Sequence, residues 1–202
     1  YGASSMNIII FEDDNASDLY PFTINHAVFE IKIGCKSNLD RIADIISPTD
    51  KLYVNVRDEI ADLVKERYPS VIVNADIIPA GLLLNGASLW SEKLYSSMEP
   101  SQIYSSNGKL IALNIKRSFP RDDLSEILLD SLQITRNINI IHIAYLWDAV
   151  DSISDCIDLD VEDYLNYKNG IVHSSAVLLN PDNIFIADTS NVMAGCIFDA
   201  SS

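Results

Sequence analysis

A β-branched apolar run close to the start of the chain, Asn7-Ile8-Ile9-Ile10-Phe11, constrains the fold more than any other stretch. Its length and its isoleucines suit a strand buried on both faces. Two similar runs follow, Lys51-Leu52-Tyr53-Val54-Asn55-Val56 and Val71-Ile72-Val73-Asn74. Between the first and second, Leu39, Ile42, Ala43 and Ile46 recur at three- and four-residue steps, the period of a helix face. Ser37 or Asn38 stands where that helix is capped, and Pro48 stops it. Between the second and third, Asp58 is expected to cap a helix with Ile60, Leu63 and Val64 on one face, closed by Pro69. Strand, helix, strand, helix, strand at this spacing predicts a mostly parallel α/β sheet with right-handed crossovers and helices on both faces. Such sheets bind ligands at the carboxyl edge, so the loop after Phe11 is the expected place for a nucleotide.

The middle of the chain is less regular. Residues Pro79 to Leu89 are apolar with Gly81 and Gly86, and read as a loop and helix over the sheet. Gln102–Ser105 and Lys109–Leu113 flank an Asn107-Gly108 pair, the strongest short signal for a hairpin. Arg121-Asp122-Asp123 opens a helix with an acidic first turn, as the helix dipole favours, and Leu124, Ile127 and Leu128 form its buried face. From Leu146 to Leu165 one amphipathic helix is predicted. Its apolar side is Leu146, Val150, Ile153, Ile157, Val161 and Tyr164, and the acidic residues opposite are a solvated face. The Trp147-Asp148 pair is packing.

From Val172 the pattern changes. Ile171 and Val177 are six apart, and so are Ile186, Val192 and Phe198, with small and polar residues between. An aliphatic residue every six positions is the pattern of a left-handed parallel β-helix, with Asn180-Pro181-Asp182-Asn183 as a loop. Repeat architectures need about three stacked units, and this tail supplies roughly one. The natural protein is therefore expected to continue past Ser202. The expected organisation is residues 1–5 as an appended remnant before a natural start at Met6, 6–168 as the α/β domain, and 169–202 as the beginning of the β-helix.

Charge and cysteine content narrow the partners. The 202 residues carry 29 acidic and 14 basic side chains, a net charge of −15. No basic stripe stands among them, which argues against nucleic acid as a ligand. Cys35, Cys156 and Cys196 are far apart with no Cys-x-x-Cys pair, so a zinc site or disulfide framework is not expected and a reducing cytoplasm is the default location. No apolar run approaches the roughly 20 residues of a membrane span, and residues 1–5 lack the pattern of a signal peptide.

The segment Phe11 to Thr23 resembles the opening motif of the sugar-phosphate nucleotidyltransferases, L-x-G-G-x-G-T-R-L-x-P-L-T. Leu19-Tyr20-Pro21-Phe22-Thr23 fits the last five positions. The glycines fall on Asp13, Asp14 and Ala16, the threonine on Ser17, the arginine on Asp18, and the following Pro-Lys pair on Ala27 and Val28. The chain is most similar to the GlmU-like sugar nucleotidyltransferases, a bifunctional group with a looser signature: P-L-T, an E-x-R-x-G segment and a C-terminal hexapeptide-repeat domain. Here these are Pro21-Phe22-Thr23, then Glu30-Ile31-Lys32-Ile33-Gly34 with Lys in place of Arg, then the tail.

The resemblance implies a Rossmann-like nucleotidyltransferase fold and nucleotidyl transfer from an NTP to a sugar 1-phosphate. It implies a magnesium ion, held in that family by the aspartate of an N-G-D tripeptide. Asn74-Ala75-Asp76 matches two of those three positions, and Asp76, with Asp13 and Asp14, is the expected metal set. Thr23, Glu30, Lys32, Gly34 and Asn74 are the expected nucleotide and sugar-phosphate contacts. An acyltransferase function and a homotrimer built through the β-helix are implied for the full-length protein. No residue is assigned a catalytic role. The loop Glu12-Asp13-Asp14-Asn15-Ala16-Ser17-Asp18 has four carboxylates, no glycine and no base, whereas phosphate loops use glycine so that backbone N–H groups can approach. Two readings stay open: a transferase with a rearranged, metal-assisted site, or a domain that binds sugar or nucleotide, or scaffolds the β-helix, without catalysis.

Overall fold

In the computed structural model, which describes residues 5–133, 135–161 and 169–201, the first apolar run forms strand β1 (Asn7–Phe11). Ile8, Ile9, Ile10 and Phe11 are all buried, so both faces of the strand meet core. Two 3₁₀ turns, Asp14–Leu19 and Val28–Glu30, lead to a hairpin of β2 (Lys32–Ile33) and β3 (Lys36–Ser37). Its turn uses Gly34 at φ 78°, a left-handed conformation that carries no Cβ penalty in glycine. Helix α1 (Asn38–Ile45) starts on Ser37, whose hydroxyl accepts from the backbone N–H of Asp40 while the Asp40 carboxylate accepts from the backbone of Ser37. β4 (Lys51–Asn55), α2 (Asp58–Arg67) and β5 (Ile72–Val73) complete the predicted alternation. Arg57 is the N-cap of α2, and Asp58 is the helix's first residue rather than its cap.

After β6 (Ile77–Ile78) the structure departs from the sequence reading. Residues 81–85 are not helix but strand β7 (Gly81–Asn85), parallel to β1 with Ile8 opposite Leu82 and Ile10 opposite Leu84. The short helix α3 (Glu92–Ser96) precedes the expected hairpin of β8 (Tyr104–Ser106) and β9 (Lys109–Ile115). Asn107 and Gly108 sit at φ 49° and 77°, the pair of left-handed residues that a tight two-residue hairpin turn needs. β10 (Phe119–Pro120) pairs with β6. A 3₁₀ turn over Arg121–Asp123 opens α4 (Leu124–Ser131), and β11 (Arg136–Asn137) and α5 (Leu146–Asp151) follow.

The sheet has seven strands in the order β11-β8-β9-β7-β1-β4-β5. All its pairings are parallel except those of β9, which runs antiparallel to both neighbours. On one face Ile8, Ile10 and Leu84 pack with Leu39 and Ile42 of α1 and Ile60 and Val64 of α2. On the other, Ile9, Phe11 and Leu83 pack with Leu124 of α4. The chain steps outward from β1 to β4 to β5, then returns to the opposite flank of β1 as β7. The direction of winding therefore reverses between β1 and β7. In open α/β sheets the crevice outside the carboxyl ends of strands at such a reversal is where ligands bind.

Contact density divides the chain into Tyr1–Ser152 and Ile153–Ser202. The helix predicted over 146–165 is interrupted at Ser152, and α6 (Ile153–Val161) begins the second unit. Residues 162–168, with Tyr164, lie outside the described residues. In the tail, β12 (Ile171–Val172) runs parallel to β14 (Asn191–Val192), and β13 (Val177–Leu179) parallel to β15 (Ile197–Asp199). Ile171 faces Asn191 and Val177 faces Ile197, so one winding of the chain stacks on the previous one. The residues packed inside are Ile184, Ile186 and Val192, with Val172 and Leu178 against them. The inward positions of the first winding are thus one residue later than the predicted Ile171 and Val177, which are exposed. The 180–183 loop is a 3₁₀ turn entered through Asn180 at φ 53°. Among the described residues no helix is long and apolar enough to cross a membrane.

Candidate functional site

The carboxyl end of β1 delivers Glu12 and Asp13 to the reversal point. Glu12 turns inward. Its side chain is 3% exposed and accepts from the backbone N–H of Val28 at 3.0 Å and of Arg57 at 3.2 Å. The Arg57 guanidinium lies 2.5 Å from the same carboxylate and also donates to the carbonyls of Thr23 and His26. Burial raises the Glu12 pKa from its ordinary value, while the Arg57 charge and the two backbone donors pull it down. Glu12 and Arg57 together pin the whole 12–26 loop to the start of α2.

Asp13 faces the other way, toward β7. It accepts from the backbone of Asn15 at 3.2 Å and from the side-chain amide of Asn85, the last residue of β7, at 3.0 Å. Asn85 is buried, donates also to the carbonyl of Leu110, and accepts from the backbone N–H of Ala87. The Asn107-Gly108 turn sets Lys109 at the same edge of the sheet, where its Nζ donates to Asn15 Oδ1 at 2.9 Å. A cavity of about 210 Å³ opens between this loop, the hairpin and α4. Its polar wall includes Asp13, Asp14, Asn15, Asn85 and Lys109, and its apolar wall includes Leu124, Leu128 and Leu132. Apolar walls with a few convergent polar groups are the usual make-up of a small-molecule site.

The residues singled out from sequence fall in different surroundings. Asp13 and Asp14 line this cavity. Thr23 is fully buried, and its hydroxyl donates to the carbonyl of Ala16, bracing the loop from within. Glu30 is buried and pairs with Arg67 at 3.0 Å, while accepting from the backbone of Ala27 at 2.6 Å; it does not pair with its sequence neighbour Lys32. Lys32 is exposed on β2, and Gly34 makes the turn after it. Asn74 sits at φ 51° after β5, accepting from Val56 N and donating to Val56 O. Asp76 is exposed, and β5 lies two strands from β1. At roughly 4.8 Å per strand this is on the order of 10 Å.

Among the described residues no three His, Cys, Asp or Glu side chains gather as a metal-binding group. Asp76 thus does not join Asp13 and Asp14 around one ion. Magnesium, however, is commonly held by one or two carboxylates together with waters and substrate phosphates. Asp13 and Asp14 at the mouth of the crevice fit that modest demand. The strand beside β1 that ends at the crevice is β7, and it closes in Asn85-Gly86-Ala87. That tripeptide matches N-G-D in its first two positions and has Ala87 where the aspartate stands.

Three polar residues of this edge went unread in the sequence: Arg57, Asn85 and Lys109. Arg57 is 45 residues from Glu12, and Lys109 is 94 residues from Asn15. Only strand order brings them together. The one local signal was the Asn-Gly turn, which predicted a hairpin but not the edge on which it stands.

No curated protein sequence matches this chain. Among solved structures, the chain is similar to LicC, the CTP:phosphocholine cytidylyltransferase from Streptococcus pneumoniae, with 10% identity, TM-score 0.44, and coverage of 74% of this chain and 99% of that one. It is similar also to HddC from Yersinia pseudotuberculosis, with 12% identity, TM-score 0.38 and the same coverage, 74% and 99%. Residues 8–168 match the family described as sugar nucleotidyl transferase. That match takes in the reversal point, the crevice and every residue that lines it, and the chain belongs to the sugar nucleotidyl transferase family.

Proposed function

We propose that the chain transfers a nucleotidyl group from a nucleoside triphosphate to a sugar 1-phosphate in the crevice between the loop after β1 and the end of β7. The observation that carries this reading is the reversal of winding between those two strands. In this reaction an oxygen of the sugar phosphate bonds to the α-phosphorus, the bond from that phosphorus to the bridging oxygen breaks, and pyrophosphate leaves with the electron pair. Lys109 offers a compact charge to the phosphate oxygens, and the leucine wall of α4 offers an apolar surface to the base. Thr23, Glu30, Gly34 and Asn74 act by holding their loops.

Like charges about 4 Å apart at an effective dielectric near 20 repel by about 4 kcal/mol. A triphosphate beside Asp13 and Asp14 therefore needs a divalent cation between them. Magnesium held there would neutralise the phosphate charge. The reading is tested by incubating the chain with each NTP, a panel of sugar 1-phosphates and magnesium, and measuring pyrophosphate. Release is expected for at least one pair and is abolished by EDTA. No release with any pair removes the transferase reading. A second reading, binding without turnover, is favoured by Ala87 in the aspartate's position and by the absence of glycine from the 12–18 loop; it expects a ligand-induced rise in melting temperature with no pyrophosphate.

For the second unit, the parallel stacking of β12 on β14 and β13 on β15 supports reading it as the start of a left-handed β-helix. Trimer formation and acyl transfer through that helix are proposals for a longer protein.

A further inference from the structure

Ser88 follows the Asn85-Gly86-Ala87 turn and is fully buried. It forms an antiparallel bridge with His142. On either side, Leu89 N donates to Ile141 O and Ile143 N to Ala87 O, both at 2.9 Å. The Ser88 hydroxyl lies 3.0 Å from Nδ1 of His142. A buried hydroxyl proton needs an acceptor, and this ring nitrogen is the acceptor within reach. With Ser88 as the donor, Nδ1 accepts and the proton of a neutral ring sits on Nε2.

Nε2 is buried and has no hydrogen-bond partner among the described residues. Burial lowers the His142 pKa; Asp13 and Asp148 raise it and Lys109 lowers it further. With Ser88 as the donor, Nε2–H has no acceptor among the described residues. Of the charges acting on it, Asp13 and Lys109 belong to the crevice described above, and Asp148 is engaged with the backbone N–H groups of Ala144 and Tyr145. A second side chain repeats the pattern at the same stretch. Asn38 is 3% exposed and donates to the carbonyl of Gly86 at 2.7 Å, while its Oδ1 is buried without a partner among the described residues. Among the described residues two buried polar atoms thus stand unpaired on side chains fastened to residues 86–88, directly after the strand that ends in the crevice.

We infer that His142 is a substrate-contacting residue whose Nε2–H donates to an oxygen of the phosphorylated substrate, with Ser88 as the positioning residue that fixes the tautomer. This rests on the proposed nucleotidyl-transfer reading of the crevice.

The test uses the wild-type chain with ¹⁵N-labelled histidine, so that it does not depend on a variant folding. Its three histidines, His26, His142 and His173, give separate ring signals. His142 is expected to show the Nε2–H tautomer without ligand. Glucose 1-phosphate and each NTP with magnesium are then added in turn, with binding followed independently by calorimetry. With a probe that binds, the His142 signals shift while those of His26 and His173 stay. His142→Ala weakens that binding by about 10- to 100-fold, the effect of losing a hydrogen bond to a charged group, and His142→Gln, which keeps an N–H donor, recovers most of it. A probe that binds while the His142 signals stay still overturns this inference and leaves the proposed function standing. Failure of every probe to bind overturns both.

Discussion

Arg57→Ala is expected to destabilise the first unit by about 3–5 kcal/mol, the cost of stripping the partner from a buried charge. Glu12 has a side chain only 3% exposed and Arg57 one 21% exposed, so water cannot replace the guanidinium. The substitution also frees the carbonyls of Thr23 and His26, which that guanidinium holds. The variant Glu12→Gln with Arg57→Ala should recover a large part of the loss, because no ionised group is then left unpaired. Urea unfolding of the four species forms a double-mutant cycle that isolates the pair.

The pH dependence has a definite sign. Burial already raises the folded-state pKa of Glu12 above its ordinary 4.5, and loss of Arg57 raises it further. A raised folded pKa contributes stability that is full below the unfolded value and lost as pH rises through the folded value. The Arg57→Ala deficit should therefore be small near pH 4.5 and grow toward pH 8. A loss of stability independent of pH would show that the arginine acts by packing alone.

Gly81→Ala is expected to cost about 3 kcal/mol or more. A Cβ at this position would lie 2.2 Å from the carbonyl oxygen of Asn7 and 2.9 Å from both Asn7 Cβ and Ile9 Cδ1. The closest obstacle is backbone of β1, the strand that β7 pairs with, so relief means parting the two strands that frame the crevice. Gly86→Ala is the control. Its Cβ would meet Phe29 Cδ1 at 3.1 Å, and Ile10 Cγ2 and Phe11 O at 3.2 Å, contacts that small side-chain shifts relieve in part. Its cost should be about 1 kcal/mol. Equal midpoints in urea for the two variants would contradict the close approach at Gly81.

The alternation of β1, α1, β4, α2 and β5 was legible because each element carries its own period and its own cap or stop. β7 was not. Gly81-Leu82-Leu83-Leu84-Asn85 lacks β-branched residues, and a strand buried on both faces shows no alternation to distinguish it from a buried helix. Without β7 the reversal of winding has no signature in the sequence, and Asn74-Ala75-Asp76 follows β5 at the edge of the sheet. Of the crevice, the acidic loop with Asp13 and Asp14 could be read locally. Asn85 and Lys109 could not, because only strand order brings them to it. Glu30 shows the same limit: the cation nearest to it in sequence is Lys32, but the fold gives it Arg67, 37 residues on.

A crystal structure of the chain with a nucleoside triphosphate, magnesium and a sugar 1-phosphate tests the central claim most directly. The account predicts the phosphates at the carboxyl ends of β1 and β7, within hydrogen-bond reach of Lys109 Nζ, with the base against Leu124 and Leu128. Nucleotide bound at the Asn74–Asp76 turn, or elsewhere, with nothing between Asp13 and Lys109, would contradict it.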